Sequence, residues 1–210
     1  MDRNTALGHI GLSSDSELNR FIDKVILLYS QVEGGYDAVN ASDGNAMSIG
    51  ILQWHGDRAQ LLLQKLLSGN EEKAILAGTQ IYEDVCKTAE FWQHRIAYRH
   101  EVPILKTVLS SPTGRNVQDA VARKDISTYL LHGIELGITD LNALAYFCDL
   151  ENQGGEYVAT DIVQGIAQNT PLTLLNLCVS ALKHPLMGVT RRRRRLYSYQ
   201  KISAFFSDDP

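Results

Sequence analysis

The stretch Tyr29–Trp54, YSQVEGGYDAVNASDGNAMSIGILQW, decides how this chain is read. Upstream of it, Leu18, Phe21, Ile22, Val25, Leu28, Tyr29 and Val32 recur at three-four spacing, which predicts an amphipathic helix. Ser14-Asp15-Ser16-Glu17 has the spacing of a capping box, so the helix is expected to begin there and to end on Glu33. Gly34-Gly35 breaks it. The turn residues Asp43-Gly44-Asn45 are flanked by YDAVNA and MSIGILQ, two candidate short strands, so a small β-hairpin is expected between Gly34 and Gln53.

Beyond Asp57 the pattern is helical throughout. The segments DRAQLLLQKLL, EEKAILAG, EDVCKTAEFWQHRIAYR, VPILKTVL, NVQDAVARKDISTYLLHGIEL, TDLNALAYFCDLEN, VATDIVQGIAQ, PLTLLNLCVSAL and TRRRRRLYSYQKISAFF each carry apolar residues at helical spacing. The expected fold class is mainly α (α+β), with one small hairpin beside a bundle of helices. At 210 residues a single domain, 1–210, is expected, with a hairpin lobe over about 34–54 and a helical lobe for the rest.

Composition narrows the function classes. The chain is 44% hydrophobic and 21% charged, as ordinary globular proteins are. No apolar run is long enough to cross a bilayer, so no stable membrane insertion is expected. The first residues, MDRNTALGHIGLSSDSE, lack the profile of a signal peptide, and a cytoplasmic location is expected. Cys86, Cys148 and Cys178 are widely spaced and contain no CxxC, which argues for buried free thiols over disulfides or zinc. A formal net charge of −4 gives no general reason to expect nucleic acid.

Glu33 stands where an acid is costly. A carboxylate at a helix C-terminus faces the negative end of the macrodipole, which favours its neutral form. A general acid needs that same bias, because its pKa must rise toward working pH. Glycoside hydrolysis pairs such an acid with a second carboxylate, roughly 6.5–9.5 Å away if it activates water and about 5–5.5 Å if it attacks directly. Asp43 is the first candidate for that second group, and Asp57 the second, with Asp37 behind both. The plainer readings are a turn residue for Asp43 and a helix cap for Asp57.

A helix ending in Glu33, followed by Ser48-Ile49-Gly50-Ile51-Leu52-Gln53, resembles the lysozyme superfamily. The pattern is closest to goose-type lysozymes and soluble lytic transglycosylases, and more distantly to chitosanases. The run from EGGYDAVNASDG through SIGILQWHGDRA and DLENQGG also looks like catalytic domains of phage cell-wall lysins. The resemblance implies a lysozyme-like fold with Glu33 as acid and Ser48 and Gln53 lining a cleft. It also makes Asn152, before Gly154-Gly155, a counterpart of the Asn that touches substrate in transglycosylases, with Gln153 as its companion. Tyr36 and Trp54 are candidate platforms for sugar rings, against the plainer reading of core aromatics.

Two other groupings invite a functional reading. His94, His100 and Glu101 do not have metal-ligand spacing, so structural roles are expected and no metal or organic cofactor is implied. Arg191 to Arg195 wrap more than one helical turn, so some must pair internally while others face solvent. Attraction to anionic wall polymers is the functional alternative.

The function expected from this reading is a peptidoglycan-degrading glycosidase. It would cleave the β-1,4 bond of glycan strands as a monomeric phage endolysin held in the host cytoplasm before release to the wall. The alternatives are a lytic transglycosylase, a chitosanase and a non-catalytic glycan-binding protein.

Overall fold

Ser14 and Glu17 cap a long helix near the N-terminus in the computed structural model, which describes residues 8, 10–12, 14–189 and 191–207. Ser14 Oγ accepts from Glu17 N at 3.2 Å, while the Glu17 carboxylate accepts from Ser14 N at 3.0 Å. Helix α1, Asp15–Glu33, follows and buries Leu18, Phe21, Ile22, Val25, Leu28 and Tyr29. Each such residue contributes about 2 kcal/mol relative to exposure, which outweighs the modest intrinsic propensity of Ile and Val for helix.

Strands β1 (Val39–Asp43), β2 (Ala46–Ile49) and β3 (Trp54–His55) come next. Helices α2 (Asp57–Leu66), α3 (Asn70–Leu76), α4 (Gln80–Asp84), α5 (Ala89–Trp92), α6 (Glu101–Ser110) and α7 (Pro112–Glu135) follow. The chain closes with α8 (Leu141–Gln164), α9 (Leu174–Lys183), a π-helical turn at Pro185–Val189, and α10 (Arg192–Ser207). The protein is mainly helical, with one small antiparallel sheet. Among the described residues no helix is long and apolar enough to cross a membrane.

Three local expectations are corrected. The hairpin gains a third strand, giving the order β1-β2-β3, because the chain turns back at Gly50–Gln53 and pairs Ile49 with Trp54. The segment from Glu83 to Arg99 is not one helix. Thr79 and Thr88 each accept a backbone N–H as caps, which starts two short helices, α4 and α5, in its place. Conversely, α8 runs through both segments that the sequence divides, with a kink at Gly155, whose φ of 79° only glycine adopts readily.

The chain forms two compact units. One spans Tyr29–Lys124 and holds the sheet with α2 to α6. Its core collects Met47, Ile49, Ile51, Leu52, Trp54, Leu62, Leu63, Trp92 and Leu105. The other joins the residues up to Leu28 with those from Asp125 onward. There Tyr146, Phe147, Leu150, Ile162, Leu177 and Ile202 are buried, and Gly133 lets Phe147 approach so closely that an added Cβ would sit 3.0 Å from its ring. Cys148 and Cys178 are buried in this unit as expected, whereas Cys86 is exposed in the turn after α4.

Candidate functional site

Glu33 is the last residue of α1, partly exposed, with no basic side chain in the final turn to offset the helix end. The chain leaves it through Gly34, whose φ is 141° and whose hypothetical Cβ would lie 2.7 Å from that of Ala38. Only glycine fits there, so the break immediately behind the acid is enforced by sterics.

The sheet then orders the polar residues. In the pairing register Asn40 faces Ser48 and Ser48 faces His55, which sets these three side by side across the sheet. Strand β2 is buried along its whole length, Ser48 included. Ser48 Oγ donates to the Asp43 carboxylate at 2.8 Å, and His55 Nε2 donates to the Asp43 carbonyl at 2.9 Å. Asp43 itself is exposed at the end of β1. The result is a solvent-facing carboxylate whose orientation is set by a buried hydroxyl, with the backbone behind it pinned by the histidine.

Asp57 has a different environment. It opens α2 behind Gly56, and its charge is favoured by the positive end of that helix. It is the first helical residue rather than the cap.

Gly50 explains the glycine of the Ser-x-Gly-x-x-Gln element. Its φ is 75°, and a Cβ would meet Gln118 Oε1 at 2.5 Å and the Trp54 ring at 2.9 Å. Gln118, fully buried on α7, accepts from Ile51 N at 3.1 Å and donates to Leu109 O at 2.8 Å. Gln53 closes the same loop. Its backbone N–H and its Nε2 both donate to Gly50 O at 3.0 Å, and its own φ is 49°. A non-glycine residue held in that region costs about 1–3 kcal/mol and marks a segment the surroundings over-determine.

Trp54 corrects one expectation. It is 1% exposed, with its ring against Gly50, so neither face is open to a sugar and the core reading holds. Tyr36 is half-buried. Its hydroxyl donates to Asp119 Oδ1 at 2.7 Å, and the Arg115 guanidinium lies over its ring, 5.4 Å from the centroid. Burial pushes the Tyr36 phenol up to about 12, and the hydrogen bond and negative charge of Asp119 add to it.

Asn152 and Gln153 belong to the other unit, on α8 just before the Gly155 kink. Gln153 is committed to packing. Its Oε1 accepts from Arg195 Nη2, its backbone carbonyl accepts from Arg191 Nη1 at 3.2 Å, and its Nε2 faces Asp149 Oδ1 at 3.5 Å. A substrate role expected of Gln153 therefore gives way to a structural one. Asn152 is partly exposed on the same turn.

Sequence reasoning missed the support around the sheet. Arg95 O accepts from Met47 N at 2.8 Å and Ala97 N donates to Ala41 O at 2.9 Å, so residues 95–97 strap the hairpin. That strap is fixed by Arg95, which bonds Asp84 at 2.7 Å and Glu101 at 2.6 Å with all three buried. Burial raises the Asp84 carboxyl, but hydrogen bonds from Lys87 and Arg95 outweigh it and hold the group below its ordinary value. Glu101 is thus a partner of arginine, while His94 and His100 are exposed. Gln118 was detectable in principle: with Gly114, Ala122 and Ile126 it forms a buried four-residue repeat, where a polar residue is out of place. Compared with protein-family models, curated proteins and solved structures, the chain finds no match.

Proposed function

We propose that this protein is a peptidoglycan-degrading glycosidase that cleaves the β-1,4 bond of the glycan strand. Glu33 is the acid that protonates the leaving oxygen, and Asp43 is the second carboxylate, which orients water or stabilises positive charge on the sugar. The observation that supports this reading is a helix-terminal Glu33 followed at once in the chain by a hairpin whose exposed Asp43 is held by Ser48 at 2.8 Å. Asp57 becomes the weaker candidate, because the start of α2 accounts for it structurally. Ser48 acts through Asp43 as a positioning residue, and Gln53 and Tyr36 are the candidate contacts to sugar. A lysozyme-like fold and the role of a phage endolysin follow from the same resemblance and share its fate.

The test is mass spectrometry of fragments released from purified peptidoglycan by the wild type and by Glu33→Gln. Loss of a general acid lowers turnover by about 100-fold or more, with the helix content of the variant unchanged. Reducing ends that vanish in the variant support hydrolysis. Anhydro ends point to a transglycosylase, in which Asp43 reverts to a turn residue. No release by the wild type sinks the reading.

A further inference from the structure

The arginine run is used only in part by the packing of its own unit. Arg195 is fully buried and Arg194 mostly so, and both pair with Asp149, at 2.9 and 3.1 Å. Arg192 and Arg193 are exposed and make no ion pair with any described residue. Both occupy the first turn of α10, where cations oppose the helix dipole. From Arg192 to Ser207 the helix contains no acidic residue, and neither does α9. At the end of α8, Asp161 is engaged by His184 at 3.1 Å.

One turn beyond Arg192 and Arg193, on the same face, stand Leu196 and Tyr197, 37% and 40% exposed. Lys201 continues the stripe, with its ammonium 5.5 Å from the Tyr197 ring centroid. Leu186, in the π-helical turn packed against α10, is 62% exposed. Cations and apolar side chains are therefore interleaved at the start of one helix.

We infer that this face of α10 docks on the surface of an anionic bilayer. The uncompensated guanidiniums select the partner's charge, and each basic residue near such a surface strengthens binding about fivefold. The apolar members choose between partners that share this charge. A soluble polyanion would engage Arg192 and Arg193 and leave Leu196 and Tyr197 in water. A lipid surface takes both, with aliphatic groups and a tyrosine ring entering the headgroup boundary. The contact is peripheral and needs no spanning segment. It is independent of the proposed glycosidase activity.

The test is co-sedimentation of the full chain with vesicles of phosphatidylglycerol and phosphatidylcholine, against vesicles of phosphatidylcholine alone. Binding is expected to the anionic vesicles only and to weaken with salt. Arg192→Gln with Arg193→Gln is expected to lower partitioning about 25-fold. Leu196→Ser with Tyr197→Ser is expected to weaken it as well. All four side chains are exposed, so the variants retain the fold, which circular dichroism checks. Absence of wild-type binding to anionic vesicles overturns the inference. So does binding that needs the arginines but ignores the serine pair, because that pattern assigns the face to a soluble polyanion.

Discussion

Arg95 and Arg195 are buried to a similar degree, at 4% and 0% exposure, and each lies in a different unit, yet their charges are met differently. Arg95 has two buried carboxylates, Asp84 and Glu101, and Lys87 joins Asp84 at 2.7 Å. Two positive groups meet two negative ones. A further guanidinium N–H of Arg95 donates to the Ile96 carbonyl. Arg195 and Arg194 both meet Asp149, and the Nε of Arg195 finds no acceptor among the described residues. The first arrangement is closed and holds a strap on the sheet. The second leaves part of a buried guanidinium without an acceptor, on the same helix as the exposed Arg192 and Arg193. Burying an ion is tolerable only when its partners are saturated, so the first cluster reads as scaffold for the sheet and the second as the less fully satisfied of the two.

The largest effect should come from Arg95→Met. It leaves the buried Glu101 without a cation and Asp84 with Lys87 alone, a change that costs about 3–5 kcal/mol. The pH dependence should also flatten. In the wild type the depressed Asp84 contributes stability that is complete above the unfolded-state value of about 3.9 and lost as pH falls below it. Without Arg95, Asp84 loses one of the hydrogen bonds that outweigh its burial, so its folded value should move back up and its contribution to acid lability should shrink. Stability of the variant should then depend less steeply on pH than that of the wild type between about pH 7 and 4. Urea titrations across that range read the slope, and a variant curve parallel to that of the wild type contradicts the closed-cluster account.

Asp149→Asn is expected to cost somewhat less, about 3 kcal/mol, because Gln153 still accepts from Arg195. Here the group left short of a partner is the Arg195 guanidinium, which does not give up a proton in the accessible range. The loss should therefore be the same at pH 7 and pH 5. Chemical denaturation at the two values makes the comparison with Arg95→Met direct. A loss that changes with pH in Arg95→Met and does not change in Asp149→Asn is the signature of two clusters that differ in which sign loses its partner.

Both clusters were only half legible in the sequence. The periodicity of Leu18 to Val32, the Ser14–Glu17 box and the Asp43-Gly44-Asn45 turn are local signals, and the structure follows them. The arginine run was legible as mixed, since geometry forbids five consecutive residues from sharing one helix face. Its inner partner, Asp149, lies 45 residues away, and no local pattern names it. The same holds for Gln118, which reaches Ile51 across 67 residues. Trp54 shows the opposite limit. An aromatic residue beside a polar loop has the same local sequence whether its ring faces water or the core, and only the approach of Gly50 decided it.

The Tyr36–Asp119–Arg115 group offers the smallest effect and the closest look at the candidate site. It is half-exposed, so its charges are screened more than those around Arg95 or Arg195. The phenol is raised to about 12, with burial the main cause and Asp119 the next. A group whose folded value is raised contributes stability present below its unfolded value of about 10 and lost as pH climbs toward 12. Asp119→Asn removes the charge and keeps the burial, so the Tyr36 titration should fall part of the way from about 12 toward about 10. Phenolate absorbance, taken as the difference from Tyr36→Phe, isolates this residue among the 9 tyrosines. A wild-type Tyr36 that titrates near 10 would mean that the phenol is neither buried nor bonded to Asp119. The ring would then not be held by Asp119, and the aromatic contact proposed for the sugar would need a different geometry.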